Sequence, residues 1–516
     1  MLLHQQFEAT AKRLTDTVGL VAGERRLTFG EIWQRATCLA ATMRRCGVQR
    51  GDRVIIFVPN SPEMAIAVYA TLQVGAIFSP LSPQTKAGKL AYIFQDCAPT
   101  CLIADARLAA VWRTALNAAD SLRTVIVSGL LDSNPGSLSF IRFDDATREG
   151  DALHDHPQTI DQDLASIIYT SGSTGDSKGV MLTHLNMVSA ANSISTYLGL
   201  REDDVIFCAL PLSFDYGLYQ ILMAFKVGAR VVLEPSFAFP VKALEIMERE
   251  RATVFPGVPT MFSMLMALGN LSQFPLVHLR MITNTAAALP EQHIKEIRSL
   301  FPQARLFSMY GLTECKRVTY LPPDQLDTRP TSVGRGMPNE EVYLVDERGT
   351  RLPPGSVGEL VVRGSHVMRG YWGKPHETAK RLRPGPYPGE LVLHTGDLFR
   401  MDDEGYLYFV GRMDDIIKSR GEKVAPREVE NVLCALPGTL EAAVVGVDDP
   451  VLGEAVKAYV VLKPGYVYSE RDVVKFCLAN LESFMAPKYV EFLRDLPKTT
   501  TGKIDKTALK HRRADT

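Results

Sequence analysis

One stretch constrains this chain more than any other: Tyr169-Thr170-Ser171-Gly172-Ser173-Thr174-Gly175-Asp176-Ser177-Lys178-Gly179. It holds three glycines, five serines or threonines and one lysine, and it follows an apolar run at 164–168 that predicts a short buried strand. Glycines allow backbone N–H groups to close on an anion, hydroxyls donate further hydrogen bonds, and the lysine adds a positive charge. The stretch therefore predicts a phosphate-binding loop.

The same stretch has two other interpretations. A Walker loop needs its lysine directly after the last glycine, whereas here Asp176 and Ser177 separate Gly175 from Lys178, which disfavours a mononucleotide switch protein. A run of serine, glycine and threonine is also typical of a flexible linker. The rest of the chain decides between a linker and a phosphate site.

Composition excludes several classes of protein. A chain of 516 residues is too long for one core and suggests about three domain-sized units. The net charge of −1 provides no basic field for nucleic acid or an anionic membrane. The eight cysteines form no C-x-x-C pair, which favours reduced thiols, and no apolar run approaches the roughly 18 residues that span a bilayer. We expect a cytoplasmic protein with no nucleic-acid or membrane partner.

The hydrophobic pattern alternates between helix and strand periods. Residues 52–58 predict a strand and 61–75 the helix after it, and the same rhythm returns beyond the loop with a strand at 205–210, a helix near 218–227 and a strand at 230–233. Helices between short apolar strands are typical of parallel sheets. The sequence therefore predicts an α/β fold.

Further polar motifs follow the loop in a fixed order. They are the strand and small residues of 280–290, Tyr310-Gly311-Leu312-Thr313-Glu314, Thr395-Gly396-Asp397, the segment Gly411-Arg412-Met413-Asp414-Asp415-Ile416-Ile417-Lys418, and Thr501-Gly502-Lys503-Ile504 near the end of the chain. An isolated Thr-Gly-Asp would be only a turn. In this order, from residue 27 to 506, the motifs resemble the signatures of the adenylate-forming superfamily, which contains acyl-CoA synthetases, adenylation domains of nonribosomal peptide synthesis and luciferases.

The resemblance implies a two-step ligase and a two-domain architecture. A carboxylate would attack the α-phosphate of ATP to give an acyl-adenylate and pyrophosphate, and a phosphopantetheine thiol would then take the acyl group. The implied fold has a large N-terminal domain, 1–411, of βα-rich subdomains with parallel sheets, and a small mobile C-terminal α/β domain, 412–516. Asp414 would be the hinge and Gly421 would line the thiol tunnel.

By the same resemblance, specific residues take specific roles. Lys503, Thr313 and Glu314 would be catalytic, with Glu314 also holding Mg²⁺, a cation that prefers hard oxygen ligands. The ATP or AMP site would comprise Thr170, Ser171, Gly172, Ser173, Thr174, Gly175, Lys178, Asn284, Thr285, Ala286, Tyr310, Gly311, Asp397 and Arg412. The chain departs from the family pattern in three places: Ser177 replaces proline, Thr285 and Ala286 replace two glycines, and Lys506 replaces an arginine, which puts a peripheral charge contact in doubt.

The acid-binding pocket is predicted from the same comparison. Phe214-Asp215 resembles amino-acid-activating domains, in which a carboxylate suits an ammonium group, and the residues after Glu314 would line the opposite wall. The predicted pocket comprises Asp215, Tyr216, Tyr219, Pro256, Ile282, Asn284, Met309, Lys316, Arg317 and Val318. Charges on both sides predict a small polar amino acid, aspartate-like or a β-amino acid, with Asp215 on the ammonium and Arg317 or Lys316 on a remote carboxylate.

Several alternatives stay open at this point. Asp215 could cap the helix that begins nearby, or could pair with Arg317 across an apolar cavity. The favoured acceptor is a stand-alone carrier protein, and the alternative is an AMP-forming ligase that transfers a non-amino acid to coenzyme A. A non-enzymatic regulator and a monooxygenase of the luciferase type are further possibilities, since a fold does not fix a function.

Overall fold

The computed structural model describes residues 1–130, 138–148, 157–171, 177–268, 271–285, 289–413, 415–419, 422–449, 452–499 and 503–512, with backbone alone at 171, 272, 418, 423 and 453. Within these ranges no helix is long and apolar enough to cross a membrane.

Two large sheets with parallel centres dominate the fold. In order across the first sheet, the strands are Arg335–Gly336, Thr319–Leu321, Arg305–Tyr310, Met281–Asn284, Val254–Gly257, Val205–Cys208, Arg230–Leu233, Val18–Ala22 and Arg25–Thr28. Across the second they are Gly370–Tyr371, Ser177–Thr183, Leu164–Ser171, Ile77–Pro80, Arg53–Phe57, Cys101–Asp105, Thr124–Ser128 and Ser139–Arg142. Antiparallel strands flank six parallel strands in each sheet. The predicted α/β class is confirmed.

Helices cover the faces of these sheets, and their ends follow local capping rules. The helices are Leu3–Arg13, Phe29–Arg45, Pro62–Gln73, Ala87–Cys97, Ala109–Ala115, Phe143–Ala146, His184–Leu198, Asp215–Val227, Pro240–Arg249, Pro259–Met266, Glu291–Leu300, Pro375–Arg381, Pro426–Ala435, Glu470–Asn480 and Lys506–Lys510, with short 3₁₀ turns at Ala106–Leu108, Leu116–Ala118, Leu271–Gln273 and Pro323–Gln325. Thr28 and Glu31 form a reciprocal capping box. Five helices begin at a proline, whose missing N–H costs nothing in a first turn.

The core lies between the two sheets and under their helices. Strand residues such as Val54, Ile56, Val231 and Val254 are buried, as expected where helices cover both faces of a parallel sheet. The helix near the amino terminus is held there by Phe7, which packs against aromatic rings from three other helices. Apolar burial on this scale is the main stabilising contribution to the fold.

Two smaller sheets complete the chain. A third, antiparallel sheet consists of Glu340–Val345, Val357–Gly364, Leu391–Met401 and Leu382–Pro384, with Leu407–Arg412 paired to Leu391–Met401. The fourth consists of Glu422–Val424, Ile417–Ser419, Gly453–Leu462 and Thr439–Asp449, with Tyr489–Phe492 beside Gly453–Leu462. The fourth sheet has apolar clusters of its own, formed entirely by residues from 417 onward. A smaller C-terminal domain is thereby confirmed, whereas its boundary at 411/412 stays a prediction.

The phosphate-loop stretch joins two antiparallel strands. Leu164–Ser171 pairs with Ser177–Thr183, so that Tyr169 lies opposite Gly179. Gly172, Ser173, Thr174 and Gly175 lie outside the described residues, as do Ala286, Asp414 and Gly421. Both ends of the stretch are tied to the helix Ala87–Cys97: Tyr169 donates to the Asp96 carboxylate at 2.6 Å, and Tyr92 donates to the Ser177 carbonyl at 3.0 Å.

Candidate active site

Tyr310 and Asp397 meet at one edge of a cavity of about 330 Å³. The Tyr310 hydroxyl donates to Asp397 Oδ2 at 2.6 Å, and Arg412 Nε lies 3.6 Å from Asp397 Oδ1. Asp397 and Arg412 face each other as register partners on neighbouring strands. Burial raises the pKa of Asp397, while Arg412 opposes that rise. Oδ1 accepts no hydrogen bond from any residue that the structure describes, which leaves it available to a ligand hydroxyl.

The strand segment that carries Asp397 is fixed by Glu359, a residue of the neighbouring strand Val357–Gly364. Glu359 accepts a hydrogen bond from the Gly396 N–H at 2.9 Å, and its other oxygen lies 2.9 Å from His394 Nδ1. Thr395 Oγ1 donates to the Leu360 carbonyl at 2.8 Å. Gly396 has a φ of +71°, a conformation that favours glycine. This irregular segment of the strand is therefore held rigidly beside the cavity.

Glu314 is oriented by Tyr371, a residue that follows it by 57 positions in the chain. The Tyr371 hydroxyl donates to Glu314 Oε1 at 2.8 Å, and the Glu314 side chain is half-buried. This carboxylate fits Mg²⁺, because that cation is commonly held by one or two carboxylates together with substrate phosphates and water. Thr313 and Gly311 lie in the same turn, where a Cβ on Gly311 would approach the Lys316 carbonyl oxygen to 2.0 Å. The tight turn thus requires glycine.

Lys178, expected on a phosphate, is held by a carboxylate in this structure. Its Nζ lies 2.5 Å from Glu377 Oε2 and 5.5 Å from the centre of the Tyr371 ring. Glu377 also contacts Lys380, and both lysines lower its pKa to about 2. The Thr170 hydroxyl donates to the Lys178 carbonyl at 3.5 Å. Sequence reasoning missed Glu377 because its partner lies about 200 residues away in the chain.

Lys503 reaches the same cavity from the C-terminal domain. Its ammonium lies 5.9 Å from the centre of the Phe214 ring, and it lines the cavity together with Tyr310, Asp397 and Arg412. Although the side chain keeps contact with solvent, the protein atoms crowded around the ammonium lower the pKa of Lys503 by desolvation, and Asp215 opposes this. The cavity thus combines groups predicted from motifs more than 100 residues apart.

An antiparallel bridge between Lys498 and Ile504 and the helix that follows flank Lys503. The Thr499 N–H donates to the Lys503 carbonyl at 2.7 Å, and the Asp505 side chain caps the helix Lys506–Lys510. Lys506 Nζ lies 2.6 Å from Glu430 Oε1. This ion pair joins two parts of the C-terminal domain.

The predicted acid pocket draws its residues from several elements around Met309. Asp215, Tyr216 and Tyr219 lie on the helix Asp215–Val227, while Pro256 and Ile282 lie on neighbouring strands. The Tyr216 hydroxyl bonds Thr283 Oγ1 at 2.6 Å. The Val318 N–H donates to the Tyr310 carbonyl at 2.9 Å. This bond brings the chain back beside Tyr310, a residue of the predicted nucleotide site. Asn284 and Thr285 are buried at the end of their strand.

Three charged side chains of this pocket are buried. The exposed fraction is 4% for Asp215, 1% for Lys316 and 3% for Arg317. The Arg317 guanidinium lies 4.4 Å from the centre of the Tyr216 ring, and Lys316 Nζ lies 5.4 Å from that of Tyr219. Desolvation lowers the pKa of Lys316 to about 8, although Asp215 and Glu314 oppose it.

Two alternatives for Asp215 can be judged directly. Asp215 is the first residue of its helix, Phe214 occupies the capping position, and no side-chain capping bond is present there. Asp215 and Arg317, both described, form no ion pair. Neither a helix cap nor a pair with Arg317 accounts for this buried carboxylate.

Comparison with known proteins identifies the family. The model of the AMP-binding enzyme family matches residues 7–372, and that of the AMP-binding enzyme C-terminal domain matches residues 428–503. Over 521 residues the chain is 32% identical to a long-chain-fatty-acid–CoA ligase of Bacillus subtilis (strain 168), covering 96% of this chain and 91% of that protein. It is also 32% identical over 511 residues to tyrocidine synthase 2 of Brevibacillus parabrevis, covering 98% of this chain but 14% of that protein.

A solved structure gives the same answer. The anthranilate CoA ligase AuaEII in complex with anthranoyl-AMP superposes with a TM-score of 0.91 at 27% identity, over 99% of this chain and 96% of that one. The chain belongs to the AMP-binding enzyme family, that is, the adenylate-forming superfamily. It is an ATP-dependent, AMP-forming ligase of carboxylic acids, with Mg²⁺ as the associated ion. The relatives compared are mostly acid:CoA ligases, so the predicted carrier protein lacks support.

Proposed function

We propose that this protein activates a small carboxylic acid as its acyl-adenylate and transfers the acyl group to coenzyme A. The observation that carries the proposal is the convergence of Lys503, Asp397, Arg412 and Tyr310 on one cavity beside Glu314. Those side chains come from both ends of the chain and have complementary chemistry for a nucleotide: cations for phosphates, a carboxylate for ribose hydroxyls and an aromatic face for a purine.

In the first half-reaction these residues bind and orient rather than react covalently. Asp397 Oδ1 accepts a ribose hydroxyl, and Lys503 approaches the α-phosphate, where negative charge develops as the acid's carboxylate attacks. When bound to Glu314, Mg²⁺ supplies charge neutralisation of the phosphates. When ATP binds, Lys178 exchanges its ion pair with Glu377 for contacts with phosphate oxygens, because a triphosphate carries more negative charge than a single carboxylate.

In the second half-reaction a thiol attacks the acyl-adenylate carbonyl and AMP leaves. Lys503 is not needed in this step. The C-terminal domain rotates near Asp414, so that the arm that carries the thiol passes Gly421. One site must exclude water during adenylation and admit a thiol afterwards, which gives the rotation its physical purpose. We place this chemistry in the cytoplasm, since all eight cysteines are free thiols.

A second candidate function is activation of an amino acid for a carrier protein. It rests on the buried Asp215, which could hold a substrate ammonium, and on the similarity to tyrocidine synthase 2. In that case Arg317 or Lys316 would hold a remote carboxylate of an aspartate-like or β-amino acid.

The deciding experiment measures both half-reactions with purified protein. ATP–pyrophosphate exchange across a panel of fatty, aryl, dicarboxylic and amino acids identifies the acid. Mass spectrometry of the product with coenzyme A or a phosphopantetheinylated carrier protein identifies the acceptor. We expect acyl-CoA to form faster. Faster loading of the carrier would favour the second candidate, and exchange with no acid in the panel would contradict both.

A further inference from the structure

One buried histidine lies where the C-terminal domain meets the large domain. His293 belongs to the helix Glu291–Leu300 of the large domain, and only 9% of its surface is exposed. It lines the cavity of the active site together with Arg427 of the C-terminal domain. One helical turn further along, Glu296 Oε1 lies 3.9 Å from Lys463 Nζ of the C-terminal domain. Residues three positions apart lie on the same side of a helix, so this side of the helix faces the C-terminal domain.

The surroundings of His293 favour its neutral form. Among the described residues its Nδ1 has no hydrogen-bond partner, and this atom is inaccessible to solvent. Burial lowers the pKa of His293 from 6.5 to about 4; Glu296 opposes this, whereas Lys463 and Arg427 lower the pKa further. The imidazole is therefore neutral at pH 7 in this orientation of the two domains.

Most other charged groups near His293 are balanced by partners of their own. The pairs are Glu291 with Lys295, Arg298 with Asp327, and Glu430 with Lys506. Besides the groups of the nucleotide site, the titratable residues that line the cavity are Asp415, Cys434 and Glu441. The helix Pro259–Met266, which packs beside the helix of His293, carries no titratable residue. The cations that act on His293 are therefore Lys463 and Arg427, and both come from the C-terminal domain.

Rotation of the C-terminal domain changes these surroundings. Lys463 and Arg427, which disfavour the protonated imidazole, leave with that domain, and the side of the helix that faced it gains contact with water. The pKa of His293 should then return toward its ordinary value of about 6.5. Between pH 6.5 and pH 4 the rotated orientation therefore binds more protons than the orientation described above. A fall in pH through this range favours the rotated orientation, and the effect is complete below about pH 4.

We propose that His293 makes the relative orientation of the two domains depend on pH. The neutral imidazole allows the orientation seen in this structure, with Lys503 at the nucleotide cavity, and the imidazolium favours rotation of the C-terminal domain. The inference rests on the proposed function, in which the two orientations serve the two half-reactions. Adenylation is therefore the half-reaction that mild acid slows through this histidine.

The test measures the orientation directly, by Förster energy transfer between one dye on each domain of the full-length protein without nucleotide. From pH 8 to pH 5.5 the ratio of the two orientations in the wild type should shift about tenfold toward the rotated one, as pKa values of about 4 and 6.5 require. His293→Leu and His293→Gln cannot titrate, so neither should show this shift. If wild type shows no shift, or if both variants shift as strongly as wild type, the proposal is wrong.

A control variant and a kinetic measurement complete the test. His278→Gln changes an exposed histidine of the large domain and should shift as wild type does. The rate of ATP–pyrophosphate exchange in His293→Leu, divided by that of wild type, should rise about threefold to tenfold from pH 8 to pH 5.5, because only wild type leaves the adenylation orientation. A ratio that does not change with pH would contradict the proposed link to adenylation. Absence of exchange with every acid at pH 8 would contradict the ligase function instead, since the energy-transfer measurement needs no substrate.

Discussion

Lys503 has the most direct role in the first half-reaction of the proposed function. Its ammonium shares the cavity with Arg412 and Asp397, where the proposal places the α-phosphate. We predict that Lys503→Ala lowers ATP–pyrophosphate exchange by about 100-fold or more, since a preorganised charge at the transition state is lost. Transfer from a preformed acyl-adenylate to coenzyme A should stay within about threefold of wild type.

A lysine in the adjoining helix provides the control. Lys510 lies 4.0 Å from Asp415, in the helix that follows Lys503, and it does not line the cavity. Lys510→Ala should leave both half-reactions unchanged. Equal loss of both half-reactions in Lys503→Ala would contradict its assigned role.

We expect the buried charge of Lys316 to lower the free energy of unfolding by an amount that depends on pH. Burial lowers its pKa from 10.5 to about 8 in the folded state, so the folded protein binds fewer protons than the unfolded chain between those values. The destabilisation is therefore complete below about pH 8 and is relieved as the pH rises toward 10.5. We predict that Lys316→Met raises the free energy of unfolding by about 3 kcal/mol at pH 7 and by less than half of that at pH 9.5.

Denaturant unfolding at both pH values checks this prediction. Lys12→Met, at an exposed lysine of the first helix, should change stability little at either pH. If Lys316→Met raises the free energy of unfolding by the same amount at pH 7 and at pH 9.5, packing and not charge is responsible.

Sequence motifs predicted the residues that act through their own side chains and missed those that orient them. Tyr310, Asp397, Arg412 and Lys503 stand in short recognisable motifs, and the structure brings them together. Glu377 contacts Lys178 across 199 positions of the chain, a pairing that no local pattern reveals. Long-range contacts of this kind depend on the register of two sheets, which periodicity does not determine.

At the scale of elements, the strand segment Thr395-Gly396-Asp397 shows how a backbone conformation supports a site. A Cβ on Gly396 would lie 1.9 Å from Arg381 Nη1, and its φ of +71° disfavours any other residue. We predict that Gly396→Ala raises KM for ATP about fivefold to tenfold, because alanine disfavours a φ of +71° and relaxation of the strand would move Asp397, whereas the flexible Arg381 side chain can move aside. Initial rates of pyrophosphate exchange at varied ATP concentration measure it.

The same pair of strands contains a matched glycine. Gly405 has a φ of +82° at the far end of the hairpin, with no atom within 4 Å of an added Cβ. Gly405→Ala should cost about 1 kcal/mol of stability from backbone strain but leave KM for ATP unchanged. A similar rise of KM in both variants would mean that general destabilisation, rather than the position of Asp397, is responsible.

Elements with strong local signals were predicted closely. The strand predicted at 230–233 is observed as Arg230–Leu233, and the helix predicted at 61–75 is observed as Pro62–Gln73, with a proline at its start. The motif that begins at Gly411 spans two strands that join different sheets, Leu407–Arg412 in the third and Ile417–Ser419 in the fourth. Local pattern gives strands but not their partners, since pairing depends on the whole chain.

At the scale of the whole molecule, the chain crosses from one apolar core to another within a few residues. The Met413 N–H donates to the Gly396 carbonyl at 2.9 Å, which ties it to the large domain. Asp415 lies 4.0 Å from Lys510 of the small domain. Rotation of one core against the other is therefore expected to change the backbone between these two residues, at position 414.

A proline at position 414 should restrict this rotation. Proline fixes φ near −65° and removes the N–H, so Asp414→Pro should hold the two domains in a single relative orientation. Because Lys503 already lies at the nucleotide cavity, adenylation should stay within about threefold of wild type, while transfer to coenzyme A falls by about tenfold or more. Single-turnover kinetics of each half-reaction measure the two rates separately, with Asp414→Ala as the control that removes the carboxylate but leaves the backbone free. If Asp414→Ala is impaired as strongly as Asp414→Pro, the side chain and not the rotation limits transfer, and if neither variant slows transfer, the hinge lies elsewhere.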